Sequence, residues 1–166
     1  MASGLADLRK KRVQVVYHCA AAALLKGIRG NRGATVGIST GNEIRRVPGG
    51  QTYQPWGMLA AIDLHGCERR RLEDPGTLRR FVPSLINAIG MRAHGPLMLD
   101  RFGDGELEGW SAMQFIETSS VTLHADEVFG RCFVDVFSCR PFDADVAAAV
   151  AVGHFGGTAL ATVLQR

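Results

Sequence analysis

The sequence predicts an α+β domain, a two-layer sandwich in which helices cover one face of a largely antiparallel sheet. Three observations point there. Short apolar runs of strand character recur from Met58 onward. Between Asp74 and Gly90 the apolar residues repeat at helical spacing. The elements then follow in the order β-α-β, β, β-β-α-β, which stacks strands in succession and leaves two helices to cover them.

Each element has its own warrant. "MLAAIDLHG" from Met58 is a short apolar run stopped by Gly66, as expected for a buried strand. In "DPGTLRRFVPSLINAIG" Asp74 is placed to cap a helix, Pro75 fits its first turn, and Gly90 ends it. Its apolar side is Leu78, Phe81, Val82, Leu85, Ile86 and Ile89, with Pro83 a potential kink. "GPLMLDRF" reads as a second strand and "GDGELEG" as a loop. Three more strands are expected over Trp110–Ile116, Ser120–Ala125 and Arg131–Ser138; in the last, Cys132, Val134 and Val136 alternate with Phe133, Asp135 and Phe137. "FDADVAAAVAVGHF" is a helix capped near Asp143, and "TALATVLQ" a closing strand. Before these lies a less regular region: "RVQVVYHCAAAALLKGIRG" suggests a short strand and a helix ended by Gly30, and "GATVGISTGN" another strand and turn. The Gly/Pro-rich "VPGGQTYQPWG" reads as a linker, which divides the chain into a basic N-terminal extension, 1–50, and a domain, 51–166.

Charge follows that division. Residues 1–50 carry nine Lys and Arg against two Asp and Glu, a balance of +7, whereas residues 51–166 carry ten against 14, a balance of −4. A basic arm can bind nucleic acid, but this one lacks interleaved aromatics and any binding motif, so a solvated leader is the expectation. The run Val13–Leu25 behind Arg9–Arg12 has the outline of a secretory leader. No small-residue cleavage signal follows, however, and Lys26 and Arg29 close it. No segment has the ~18–20 unbroken apolar residues of a membrane span. Cys19, Cys67, Cys132 and Cys139 show no C-x-x-C pair and no zinc-like spacing with histidine, so no metal site is expected. They read as reduced thiols of a cytoplasmic protein.

The chemistry-bearing residues lie in the three consecutive strands. Ser111, Ser119, His124 and Cys139 fall on them or at their edges, and neighbouring strands are only ~5 Å apart, so the four side chains are expected to gather in one place. Each also has a plainer role: a strand hydroxyl more often bonds backbone, a lone histidine is more often an edge residue, and a cysteine packs as a small hydrophobe.

Two stretches carry a resemblance. "GMLAAIDLHGC" resembles the G-x-H-L-x-x-D-L-Y-G-C strand of the prokaryotic S-adenosylmethionine decarboxylases. "SSVTLHADEVFGRCFVDVFSC" is similar to that family's S-H-L-S-I-H-T-x-P-E-x-G-x-A-A-V-D-V-F-T-C, with serine to histidine five residues and histidine to cysteine fifteen in both. The upstream family serine, eight before the reactive one, falls on Ser111. The match spans residues 56–166.

The resemblance implies a proenzyme. Ser119 would attack the Thr118 carbonyl, turning the peptide into an ester. Elimination, with His124 as base and Ser111 as positioning hydroxyl, would then split the chain and leave a pyruvoyl group made from Ser119. That carbonyl would form a Schiff base with the substrate amine and act as electron sink when CO₂ departs. Cys139 would return a proton to the α-carbon. Also implied are a homodimer with sites at its interface, S-adenosylmethionine as small-molecule substrate, and a place in spermidine supply. A cationic substrate suits the acidic balance of residues 51–166.

Departures from the family pattern are specific. Thr118 and Ser120 stand where the family has Glu and His around the reactive serine, and Glu117 sits one place early. The ribose-binding glutamate aligns with Val128, leaving Glu127 as the substitute one residue away. The adenine-stacking phenylalanine aligns with Gly105, and Phe102 replaces it only if the loop is longer. These differences imply a divergent member and leave two alternatives: decarboxylation of arginine or ornithine, or a binding homologue that does not cleave.

Overall fold

A computed structural model describes residues 56–166 throughout and, before them, the backbone of two strands, β1 (Val15–Val16) and β2 (Val36–Gly41). The helix expected before Gly30 and the boundary near residue 51 lie outside the described residues. The remaining elements are β3 (Met58–His65), α1 (Arg69–Glu73), α2 (Pro75–Ala88), β4 (Ala93–Phe102), β5 (Gly109–Ile116), β6 (Ser119–Asp126), β7 (Arg131–Ser138), α3 (Ala144–Phe155) and β8 (Thr158–Gln165). All described strands belong to one sheet, ordered β1-β2-β8-β3-β7-β6-β5-β4. From β8 to β4 every pairing is antiparallel, and β2 runs parallel to β8. The expected antiparallel sheet with helices on one side is therefore the fold observed.

Local chemistry explains the elements. Asp74 caps α2: one carboxylate oxygen accepts from the Gly76 amide at 2.8 Å and the other from the Thr77 hydroxyl at 2.8 Å. Its Leu78, Phe81, Val82, Leu85 and Ile86 are buried, and the helix continues through Pro83, whose ring faces outward. Gly90, at φ +69°, supplies the left-handed turn that releases the chain toward β4. Asp143 caps α3 by accepting from the amides of Asp145 and Val146. The alanines of α3 let it lie close on the sheet, and Phe155 meets Phe81 of α2 edge-on, centroids 4.9 Å apart.

The core lies between these helices and the sheet. Strand alternation points Ile62, Leu64, Val121, Leu123, Val134 and Val136 inward, each contributing ~1.5–3 kcal/mol by burial. One element was not legible in advance. α1 carries a single buried apolar residue, Leu72, and is fixed by Arg71, which donates to the Gly153 and His154 carbonyls at 3.2 Å each. The opposite face of the sheet presents Phe133, Phe137, Met98 and Phe115, and no described helix packs on it.

Candidate active site

The two-residue turn Glu117–Thr118 joins β5 to β6, and β7 ends beside it, because Ser120 pairs with Phe137. That register brings Ser119 and Cys139 together across twenty residues of sequence: the Ser119 hydroxyl oxygen accepts from the Cys139 amide at 3.0 Å. Thr118 Oγ1 lies 2.7 Å from Cys139 Sγ. The Thr118 hydroxyl is the largest influence holding the Cys139 thiol below its ordinary pKa, with the Thr118 backbone and the Ser119 hydroxyl adding to it against desolvation. Burial acts oppositely elsewhere, pushing Cys67 up to about 11 and Cys132 well above the usual thiol range. Of these three free cysteines, Cys139 alone is held below its ordinary pKa.

A cleft of about 330 Å³ opens at this turn, lined by His94, Phe115, Ile116, Glu117, Thr118 and Ser119. The early glutamate, Glu117, is bound rather than free. Arg92 grips it with two hydrogen bonds, of 2.8 and 3.1 Å, and the Glu117 amide donates to the Arg92 carbonyl at 3.0 Å. The ion pair holds the Glu117 carboxyl below its usual range.

A second cluster sits further along the same strands. Ser111 pairs directly with His124, and Ser111 Oγ lies 2.5 Å from His124 Nδ1. The Phe102 ring is 6.4 Å from the imidazole, centroid to centroid, and more than half exposed. Close by, Glu127 is only 3% exposed, and both its oxygens are taken by Arg101, at 2.7 and 3.3 Å. Its carboxylate is engaged by this ion pair. Gly109 lets β5 approach β6 here, since a side chain on it would strike the Ala125 carbonyl.

The expectation that Ser111, Ser119, His124 and Cys139 gather in one place is therefore corrected. His124 follows Ser119 by five positions in one strand, and at ~3.3 Å per residue the two lie roughly 16 Å apart. Cross-strand proximity brought the residues together in two pairs, and strand length kept the pairs apart. Two residues at this turn escaped the sequence reading: His94, which lines the cleft, and Arg92, which holds Glu117. Neither stands in a motif; pairing across β4 and β5 reveals the first and an ion pair the second.

With this geometry in place, comparison with known proteins identifies the scaffold. Residues 59–165 match the family model for S-adenosylmethionine decarboxylase. The chain belongs to that family. The adenosylmethionine decarboxylase of Aquifex aeolicus VF5, known from its crystal structure, is similar with a TM-score of 0.59 at 16% identity, over 69% of this chain and 92% of that one. No curated protein sequence matches. So low an identity is a likeness of fold, and residue roles in this S-adenosylmethionine decarboxylase family member rest on its own geometry. Among the described residues no helix is long and apolar enough to cross a membrane.

Proposed function

We propose that the protein is a pyruvoyl-dependent decarboxylase that cleaves itself between Thr118 and Ser119 and acts on S-adenosylmethionine, in the cytoplasm, in the supply of spermidine. The observation that carries this reading is the meeting of Ser119, Thr118 and Cys139 at one turn of a decarboxylase-family fold. The Ser119 oxygen accepts from the Cys139 amide and keeps its own proton for transfer, beside the carbonyl it would attack. Attack makes an ester of Thr118 on Ser119 Oγ. Elimination then frees the chain ending at Thr118 and leaves residue 119 as the precursor of the pyruvoyl group, which supplies the electron sink for loss of CO₂. Cys139, beside Ser119 and with its pKa lowered chiefly by the Thr118 hydroxyl, would exchange a proton with the substrate α-carbon.

His124 and Ser111 are too far from Ser119 to act within one protomer. We assign them to the site of a partner: in a homodimer formed through the open sheet face, the Ser111–His124 pair of one copy completes the Ser119–Cys139 turn of the other. The split between clusters and the uncovered apolar face both support this arrangement. Phe102, exposed beside His124, is the stacking candidate for the nucleoside base. Because Glu127 is occupied by Arg101, arginine and ornithine stand as alternative substrates. The test is CO₂ release from S-adenosylmethionine, arginine and ornithine side by side, with Ser119→Ala as control. Release by the natural chain and none by Ser119→Ala is expected; equal release by both would overturn the proposal.

A further inference from the structure

Self-cleavage at Thr118–Ser119 begins with a proton problem. When Ser119 Oγ bonds to the Thr118 carbonyl carbon, the C–N bond breaks, one proton must leave the oxygen and one must reach the Ser119 nitrogen. No electron transfer is involved, so a single imidazole can carry both proton steps. The turn itself lacks one, since Thr118 and Ser120 flank the serine. His124 stands roughly 16 Å along the strand.

β4, on the far side of β5, brings an imidazole to the same cleft. His94 pairs with Phe115 in the β4–β5 register and lines the cleft together with Thr118 and Ser119. Its position is built rather than incidental. The β4–β5 register shifts between His94 and Met98, and the Gln114 amide, in a residue only 4% exposed, donates to the His94 and Gly95 carbonyls at 3.0 and 3.2 Å. Irregularities of this kind re-aim side chains beside active sites. Two residues earlier, just before β4 begins, Arg92 holds Glu117, the residue before Thr118, through side chain and backbone alike. His94 also lies near enough to Glu117 to influence its carboxyl electrostatically.

We propose that His94 is the proton carrier for the first step of self-processing, the shift of the Thr118 acyl group from the Ser119 nitrogen to its oxygen, with the Arg92–Glu117 pair as the positioning clamp. The proposal rests on the self-cleavage reading. It assigns the acyl shift to an imidazole of the same protomer and leaves the later elimination to His124 of a partner.

The experiment follows cleavage of freshly made chain by mass and gel, and so needs no substrate. His94→Ala is expected to cleave on the order of a hundredfold more slowly, His94→Gln to be as slow, and added imidazole to restore much of the rate to His94→Ala. Hydroxylamine, which cuts esters and spares peptides, is expected to release no fragment from either variant, because the block precedes the ester. A His94→Ala chain that keeps pace with the natural one overturns the proposal, as does slowing that imidazole does not relieve. If the natural chain itself never cleaves, the self-processing reading falls, and this inference with it.

Discussion

A mixture of two inactive chains offers the sharpest view of the divided site. Ser119→Ala removes the hydroxyl proposed to attack and His124→Ala removes the imidazole proposed to serve it. Five residues of extended strand place the two groups roughly 16 Å apart, whereas proton transfer requires about 3 Å. Within one protomer neither chain has a complete site, and each variant alone is expected to remain uncleaved. Co-expressed with different tags, half the dimers would be mixed under random pairing. Each mixed dimer would hold one site with both groups intact, so cleavage should reach about a quarter of the natural level. Only chains carrying His124→Ala should be cut, since they keep Ser119. Mass spectrometry of the tagged fragments reads both quantities. If purified mixed dimers stay whole, or if His124→Ala cleaves unaided, the two-copy site is refuted.

Other expectations follow from the same geometry. Cys139→Ala should still cleave, because Ser119 keeps its hydroxyl, but should turn over poorly or protonate product at the wrong carbon; simultaneous loss of folding, seen by circular dichroism, would return Cys139 to a packing role. Thr118→Val removes the hydroxyl bond that contributes most to lowering the Cys139 pKa. In a Ser119→Ala background, the pH midpoint of thiol alkylation should therefore move upward, and an unchanged midpoint would contradict the assignment. Asp135 is exposed on β7, yet partial desolvation of its carboxyl and then the nearby Asp63 raise it, so its folded-state pKa exceeds the unfolded one. The charged form is disfavoured in the fold, and the resulting cost is absent at low pH and grows as pH rises through the unfolded and then the folded pKa. Asp135→Asn should accordingly raise the Tm slightly at pH 7, by about 1 °C or less because solvent screens the exposed carboxylate, and leave it unchanged near pH 3; a gain at both would point to packing instead.

Much of this molecule is written locally. Asp74, Pro75 and the apolar stripe through Ile86 specify α2 without reference to anything distant, and the two-residue alternation of β7 gives its buried face directly. The candidate residues were legible to the level of types and spacings. They were not legible to the level of distances: spacing along a strand and adjacency across strands look alike in sequence, though the first separates Ser119 from His124 and the second unites Ser111 with His124. Glu127 illustrates the same limit, because its occupation by Arg101 depends on a contact between β4 and the end of β6. α1 escaped notice since one buried leucine among charged residues makes no pattern, and His94 because its neighbours in the cleft come from another strand.

Intact mass of freshly folded protein tests the central claim most directly. Self-processing predicts two species, one ending at Thr118 and one starting at residue 119 with a blocked, ketone-bearing terminus that reacts with carbonyl-trapping hydrazides. A single species at the mass of all 166 residues, stable over days and unreactive to hydrazide, would contradict it.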